Sequence, residues 1–405
     1  MTDVRVFGRD LDGWRAESRA ALGLPTDRFV VMTGHQAGIW HAGIAEKFVV
    51  GARLAAERGG VLVHVVVDHD LNDASLVAFP ALVDGSDGAR RLARLALERS
   101  PRGARPGIPN ALRKPIRTMR PERRHEVPAD LEPGLASIER AIAAERGREN
   151  LAMQMAHAAN ALLAPHARVD HTLAATSLAA LPFAVALRTG FASMRGAYNE
   201  AVVGERIGPL AERELPFWRL DRASMSRAPL LEAETADLVA PRALALTAIA
   251  RLVLCDVFIH GTGGGRYDRA MERWIAAALG DDARDALAPM EVVTATKHAP
   301  LARFVPAFDA TATPDALRAL EQDPFGDEGR TKAALRAAIT GSRAAKRAAY
   351  IAMRRAIEEA RRARAKQLAE LRMRIAANHE ALEAHALATD RTWPFPFAAS
   401  PASNR

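Results

Sequence analysis

Two apolar runs, Phe29–Met32 and Val61–Val67, constrain this chain most, because each ends in a cluster of polar residues instead of fading into a loop. The first run stops at Thr33-Gly34-His35-Gln36-Ala37-Gly38, and an amphipathic stretch over 39–58 follows. The second run stops at Asp68-His69-Asp70, with Asn72 and Asp73 close behind. Runs of this length joined by a helix-period segment predict a strand, a tight glycine turn, a helix and a parallel strand. In open α/β sheets, ligands bind beyond the carboxyl ends of the strands, where helix amino termini also point. Both polar clusters are thereby expected at one rim.

The remaining elements fit the same class. A strand is expected over 168–174, helices over 134–164 and 181–203, and a second unit over 242–295. In that unit Leu252–Ile259 reads as a strand, His260-Gly261-Thr262-Gly263-Gly264-Gly265 as a turn and Arg266–Leu279 as a helix. Residues 1–330 therefore read as a Rossmann-like parallel sheet with helices on both faces. Seven prolines between Pro101 and Pro133 mark an insertion near 84–133. Residues 331–388 lack proline and carry an apolar seam, Tyr350, Met353, Ile357, Ala360, Arg364, Leu368, Leu371, Ile375, Asn378 and Leu382, at alternating spacings of three and four. This predicts a coiled-coil arm that needs another helix, either from the same chain or from a second copy as a homodimer. The tail, 389–405, carries Trp393-Pro394-Phe395-Pro396-Phe397 and is expected to fold back on the core.

Composition limits the function classes. One cysteine, Cys255, excludes a disulfide framework within the chain and fits a reducing cytoplasm. No apolar stretch reaches membrane-spanning length, and the first thirty residues have no signal-peptide core. The net charge of +8 is concentrated in 90–124 and 331–375, leaving the rest acidic. With aromatics sparse in both segments, these read as solvated arginine-rich faces and not as a nucleic-acid surface.

Three constellations carry chemistry. Gly34, Gln36 and Gly38, with His35, His41 and Gly43, place glycine backbone and polar side chains where an anion can approach a helix start. Lys47, one of six lysines in the chain, follows on the same helix. Asp68, His69 and Asp70, with Asn72, can orient an amine, act as general base or bind metal, and strand alternation puts Asp68 and Asp70 on one side. His260, Gly261, Gly263 and Gly264 form a potential anion nest, with Arg266, Tyr267 and Asp268 opening the next helix. Neither a G-x-G-x-x-G nor a Walker loop is present, no serine has a G-x-S-x-G setting, and no histidines have H-E-x-x-H spacing.

Taken together these motifs resemble the bacillithiol synthase (cysteine-adding enzyme) family. The T-G-x-Q-A-G turn of that family corresponds to Thr33, Gly34, Gln36, Ala37 and Gly38. Its acidic strand end corresponds to Asp68, His69 and Asp70. A D-L-F-I-H-G-x-G-G-x-x-Y-D segment in its relatives corresponds to Asp256 through Asp268. The resemblance implies a Rossmann-type core, a coiled-coil arm that pairs two copies, and a ligase joining an amino acid or amine to a small anionic substrate. ATP or ADP is then the cofactor to expect, bound at the glycine turns. His35, Asp68, His69 and Asp70 are the expected catalytic residues. Departures are Val67, where an acid is usual, and His41-Ala42-Gly43-Ile44, which keeps three positions of the related H-x-G-H motif and lacks its second histidine. Two other classes stay open: a metal-dependent hydrolase using His35, Asp68, His69, Asp70 and His260, and a nucleic-acid-associated protein.

Overall fold

The computed structural model describes residues 4–84, 90–97, 107–117 and 127–398. Two compact units emerge. One comprises Met1–Leu82, Arg94–Ala299 and Arg391–Arg405; the other comprises Val83–Ala93 and Pro300–Asp390.

In chain order, the first unit opens with two-residue strands β1 (Arg5–Val6) and β2 (Arg9–Asp10) and helix α1 (Leu11–Ala21). Strand β3 (Val30–Gln36), helix α2 (Ala42–Glu57) and strand β4 (Val61–Val67) follow; β5 (Ala78–Asp84) and β6 (Arg90–Ala96), whose residues 83–84 and 90–93 are assigned to the second unit, pair in a sheet of their own. Helices α3 (Glu132–Ala144) and α4 (Leu151–Leu163) lead to strand β7 (His171–Ala174), the single turn α5 (Ala175–Leu178) and helix α6 (Pro182–Ala201). An antiparallel sheet of β8 (Glu214–Asp221), β9 (Ser226–Leu231) and β10 (Leu238–Pro241) comes next. Helix α7 (Ala243–Ile249), a π turn over Ala250–Leu254, strand β11 (Val257–His260), helices α8 (Gly264–Leu279) and α9 (Asp281–Asp285) and strand β12 (Met290–Val292) complete it.

The central sheet has the order β12-β11-β3-β4-β7, with every pair parallel. β3 is the first of these strands in the chain. The path runs outward from it through β4 to β7, then returns to its other side with β11 and β12. The crevice between β3 and β11 is therefore the topological switch point of the sheet. Alternation along the strands divides the core. Val31, Leu62 and Ile259 pack with Phe48 of α2 and Leu163 of α4 on one face. Val30, Met32, Val63 and Phe258 pack with Phe183 and Leu187 of α6 and Trp274 of α8 on the other. Strands buried on both faces read as continuous apolar runs, which is how β3 and β4 were visible in the sequence.

Several boundaries differ from the sequence reading. β3 continues through Gly34, His35 and Gln36, because those residues pair with Val65, Val66 and Val67. The bend comes at Ala37–Gly38, where Gly38 has φ 153°, and α2 starts only at Ala42. β4, conversely, ends at Val67, so Asp68 to Asp70 lie in a turn. β11 begins at Val257 instead of Leu252, the preceding residues being the π turn. The antiparallel sheet over 214–241 had no counterpart in the sequence reading.

The Pro-rich insertion lies partly outside the described residues (85–89, 98–106 and 118–126), as does the end of the tail (399–405). Its described segment 107–117 packs against the turn after β4. Asn110, fully buried, donates to Asp70 O and Asn72 O, and Ala111 N donates to Asp68 O at 2.7 Å. The aromatic tail belongs to the first unit. Trp393 and Phe397 are buried, and Phe395 N donates to Trp40 O at 2.7 Å.

The second unit begins at Pro300, earlier than the composition change at 331, because α10 (Pro314–Gln322) packs on the arm. Helix α11 (Arg330–Ala337) precedes the arm itself, which is two helices, α12 (Arg343–Ala363) and α13 (Ala365–Ala388), broken at Arg364. A single long coiled-coil helix is thus replaced by a broken one. Its seam is covered largely by its own chain: Met353, Leu371 and Asn378 are buried, whereas Tyr350 and Leu382 are exposed. Asn378 donates to Asp309 O and Ala312 O and accepts from Asp309 N, and Arg364 donates to Asp323 O. The polar seam residues therefore fix register within one chain. Among the described residues no helix is long and apolar enough to cross a membrane.

Candidate active site at the carboxyl edge of the sheet

Helix α2 is set by its first turn. His41 occupies the N-cap position, and its Nδ1 accepts from Gly43 N at 3.1 Å. This commits the His41 ring to capping, a role normally taken by Ser, Thr, Asp or Asn. His41, read from the sequence as a ligand-binding group, thus caps α2 through Nδ1. Gly43 in turn allows the backbone after β12 to lie against the helix, since a Cβ there would sit 2.5 Å from Ala295 O.

Lys47, one and a half turns further on, is 2% exposed. Its Nζ donates to Gly34 O at 2.7 Å, and its Cδ lies 3.9 Å from where a Cβ on Gly261 would stand. The side chain thus lies at the switch point between the ends of β3 and β11. No carboxylate among the described residues lies within ion-pairing distance of it. Burial of the ammonium pulls its pKa from 10.5 down to about 7.

On the α2 face of the sheet, His35 and His64 lie near this lysine. Burial, aided by the Lys47 charge, lowers each to about 3. Trp40 packs edge-on to both rings and stacks on Phe48 at 4.6 Å, and His64 Nδ1 meets Asn160 Oδ1 at 3.1 Å. Both imidazoles are neutral at pH 7. A base that weak is a poor proton acceptor, so Lys47 and not His35 is the group here that titrates near neutrality.

Gln36 points to the opposite face and donates from Nε2 to the Asp70 carboxylate. Arg227 of β9 lies 3.7 Å from the other Asp70 oxygen and donates to His69 O at 2.9 Å, with its guanidinium over the Trp218 ring. Asp70 retains partial exposure at the rim. Asp68 and His69 do not share that position, because the strand has already ended. Asp68, 1% exposed, accepts from Thr176 N at 3.1 Å and Thr176 Oγ1 at 2.6 Å, locking the start of α5. His69 is buried, and its Nδ1 is 3.8 Å from Asp68 with no hydrogen-bond partner among the described residues. Asn72 ties the loop to Ala37 O and to Asn110. Asp68 and Asn72 are therefore positioning residues for Asp70.

The third motif is mostly consumed by the fold. Asp268, fully buried, accepts from His260 Nε2 at 2.8 Å and from Arg251 Nη1 at 2.9 Å, and Arg251 also pairs with Glu272 at 2.7 Å. These contacts outweigh burial and hold the Asp268 carboxyl below its usual range. Gly264 lies under the His260 ring, where a Cβ would come within 2.3 Å of Nδ1, and Gly265 lies against Val292. Arg266 turns outward to Glu205 at 3.3 Å, and Tyr267 packs against the core. Gly261 and Gly263 alone of this motif's glycines have no close contact where a Cβ would stand, Gly261 meeting just Lys47 Cδ at 3.9 Å.

Sequence reasoning missed Arg227, Trp218 and Asn110. Nothing in the neighbours of Arg227 singles it out among the chain's many arginines. Thr176 was visible at a strand end, but its partner Asp68 is 108 residues away. Among the described residues no three His, Cys, Asp or Glu side chains converge as a metal-ligand set, so the hydrolase alternative finds no donor cluster. Neither a family model nor a curated protein matches the chain.

Proposed function

We propose that this protein is an enzyme that joins an amine to a small anionic substrate, a carbon–nitrogen ligase of the kind the bacillithiol synthase resemblance implies. The observation that carries the reading is Lys47. A buried ammonium without a counterion is costly, and proteins keep such groups where a ligand supplies the missing charge. Its place at the switch point of a parallel sheet is where ligands bind in this class of fold. A carboxylate or phosphate group of the substrate meets Lys47 beside Gly261 and Gly263. Asp70, oriented by Gln36 and Arg227, holds the incoming ammonium. The new C–N bond forms with net loss of water. A nucleotide would supply activation of the departing oxygen, and Gly261 and Gly263 are the residues left to hold its phosphate. We take the enzyme to work in the cytoplasm, and as a homodimer through apolar residues left exposed on the arm, Tyr350, Ile351 and Met373.

The test is calorimetric titration with malate at pH 8 in buffers of different ionisation enthalpy. Lys47 is largely neutral there, so binding is accompanied by proton uptake, and Lys47→Met loses both binding and uptake. Mass spectrometry of incubations with cysteine and a sugar–malate conjugate, with and without ATP, then reads the ligation product, which Asp70→Asn abolishes. Absence of malate binding, or binding without proton uptake, refutes the role of Lys47. Malate binding without product refutes the ligase reading alone.

A further inference from the structure

On the side of α2 away from Lys47 lies a cavity of about 560 Å³, bounded by α2, α4 and the returning tail. Its size falls within the range of small-molecule sites. The floor is apolar: Ala42, Ala45 and Val49 from α2, Leu163 from α4, and Phe395 with Pro396 from the tail. Hydrogen bonding of Phe395 N to Trp40 O holds the tail in place, and Gly134 permits its approach, since a Cβ there would sit 2.7 Å from Pro396 O. Two opposite charges stand in the wall. Lys297 Nζ lies 3.2 Å from Glu46 Oε2, and both side chains are about one-third exposed. Gly43 makes this pairing accessible by letting the segment that bears Lys297 lie on α2.

We infer that this cavity binds a free α-amino acid with a large apolar side chain. An apolar chamber beside one carboxylate and one ammonium matches such a molecule at three points. The ligand carboxylate pairs with Lys297, its ammonium with Glu46, and its side chain displaces water from the alanine, leucine and phenylalanine lining. One weak, half-solvated ion pair is exchanged for two that are better shielded, together with apolar burial. A ligand with a single charge leaves one of the two wall groups facing its own sign or none. This site is independent of the ligase reading and does not involve Lys47.

L-phenylalanine is the probe, with 3-phenylpropionate and phenethylamine as analogues lacking one charge each. Calorimetry or saturation-transfer NMR on the full chain is expected to show saturable binding of phenylalanine, with each analogue weaker by about tenfold, the scale of one ion pair. Lys297→Met weakens phenylalanine and strengthens phenethylamine, because Glu46 loses its competing partner; Glu46→Gln weakens phenylalanine and strengthens 3-phenylpropionate. Ala45→Trp fills the chamber and abolishes binding, whereas Lys47→Met has no effect on it. The two wall substitutions lie at partly exposed positions, so their crossed pattern stands even where Ala45→Trp disturbs folding. The proposal is overturned by absence of saturable phenylalanine binding, by equal affinity for phenylalanine and 3-phenylpropionate, or by loss of the crossed pattern.

Discussion

The ends of β3 and β11 are neighbours on one sheet edge and look alike in sequence: histidine and glycine after an apolar strand, with a helix to follow. Their ionic groups are treated in opposite ways. At β11, Asp268 is buried with its charge met by Arg251 and His260, and Gly264 lies under the His260 ring of the same motif. At β3, Lys47 is buried with only a backbone carbonyl. A saturated network of this kind supports the fold, whereas a buried cation without a counter-charge costs it stability unless a ligand supplies one, as proposed for Lys47. Similar motifs thus differ in whether the chain itself supplies the counter-charge.

The largest expected effect breaks the saturated end. Asp268→Ala leaves the buried Arg251 with Glu272 as its remaining counter-charge, and chemical denaturation should show a loss of about 3–5 kcal/mol. Asp70→Asn, at the partly exposed rim, should change stability by less than about 1 kcal/mol. Equal losses would erase the distinction.

The next effect has the opposite sign. Lys47 binds a proton more weakly folded than unfolded, so between pH 7 and its ordinary value of 10.5 the unfolded chain holds more protons and stability rises with pH. From pH 7 to 9 this contributes on the order of 2–3 kcal/mol. Above pH 9 the gain is opposed by Cys255, whose thiol burial pushes up to about 12 and which therefore keeps its proton only when folded. Lys47→Met should flatten the pH 7–9 slope and stabilise the protein at pH 7. On the acid side, His35 and His64 stay neutral in the folded protein down to about 3, so stability should fall as pH drops from 6.5 towards 3. Thermal melts across pH check both limbs, and an unchanged slope in Lys47→Met would show that the lysine is not the titrating group.

The smallest effect separates the glycines. Gly264→Ala should cost about 1–3 kcal/mol through collision with the His260 ring, whereas Gly261→Ala should stay within about 1 kcal/mol while reducing malate affinity. Melting curves and titrations of the two variants decide it.

The sheet was legible because β3 and β4 are apolar on both faces and the helix between them keeps its period. The arm's buried stripe was legible down to Asn378 for the same reason, although its partner was not, since short helices from the same chain carry weak signals of their own. At the site, residue types were visible and their assignments were not. Whether Asp68 or Asp70 faces the rim depends on where β4 ends, and that depends on pairing with β7 and on Asn110, both remote in the chain. The residue types around Asp268 likewise do not identify it as the counter-ion of a buried arginine, since Arg251 lies 17 residues away.

Asn378 carries a consequence for assembly. Its amide is spent on Asp309 and Ala312, so a second molecule seeking the same groove would have to strip three hydrogen bonds from a closed polar clasp before gaining any apolar contact. That flank of the arm behaves as an intramolecular zipper that is already shut.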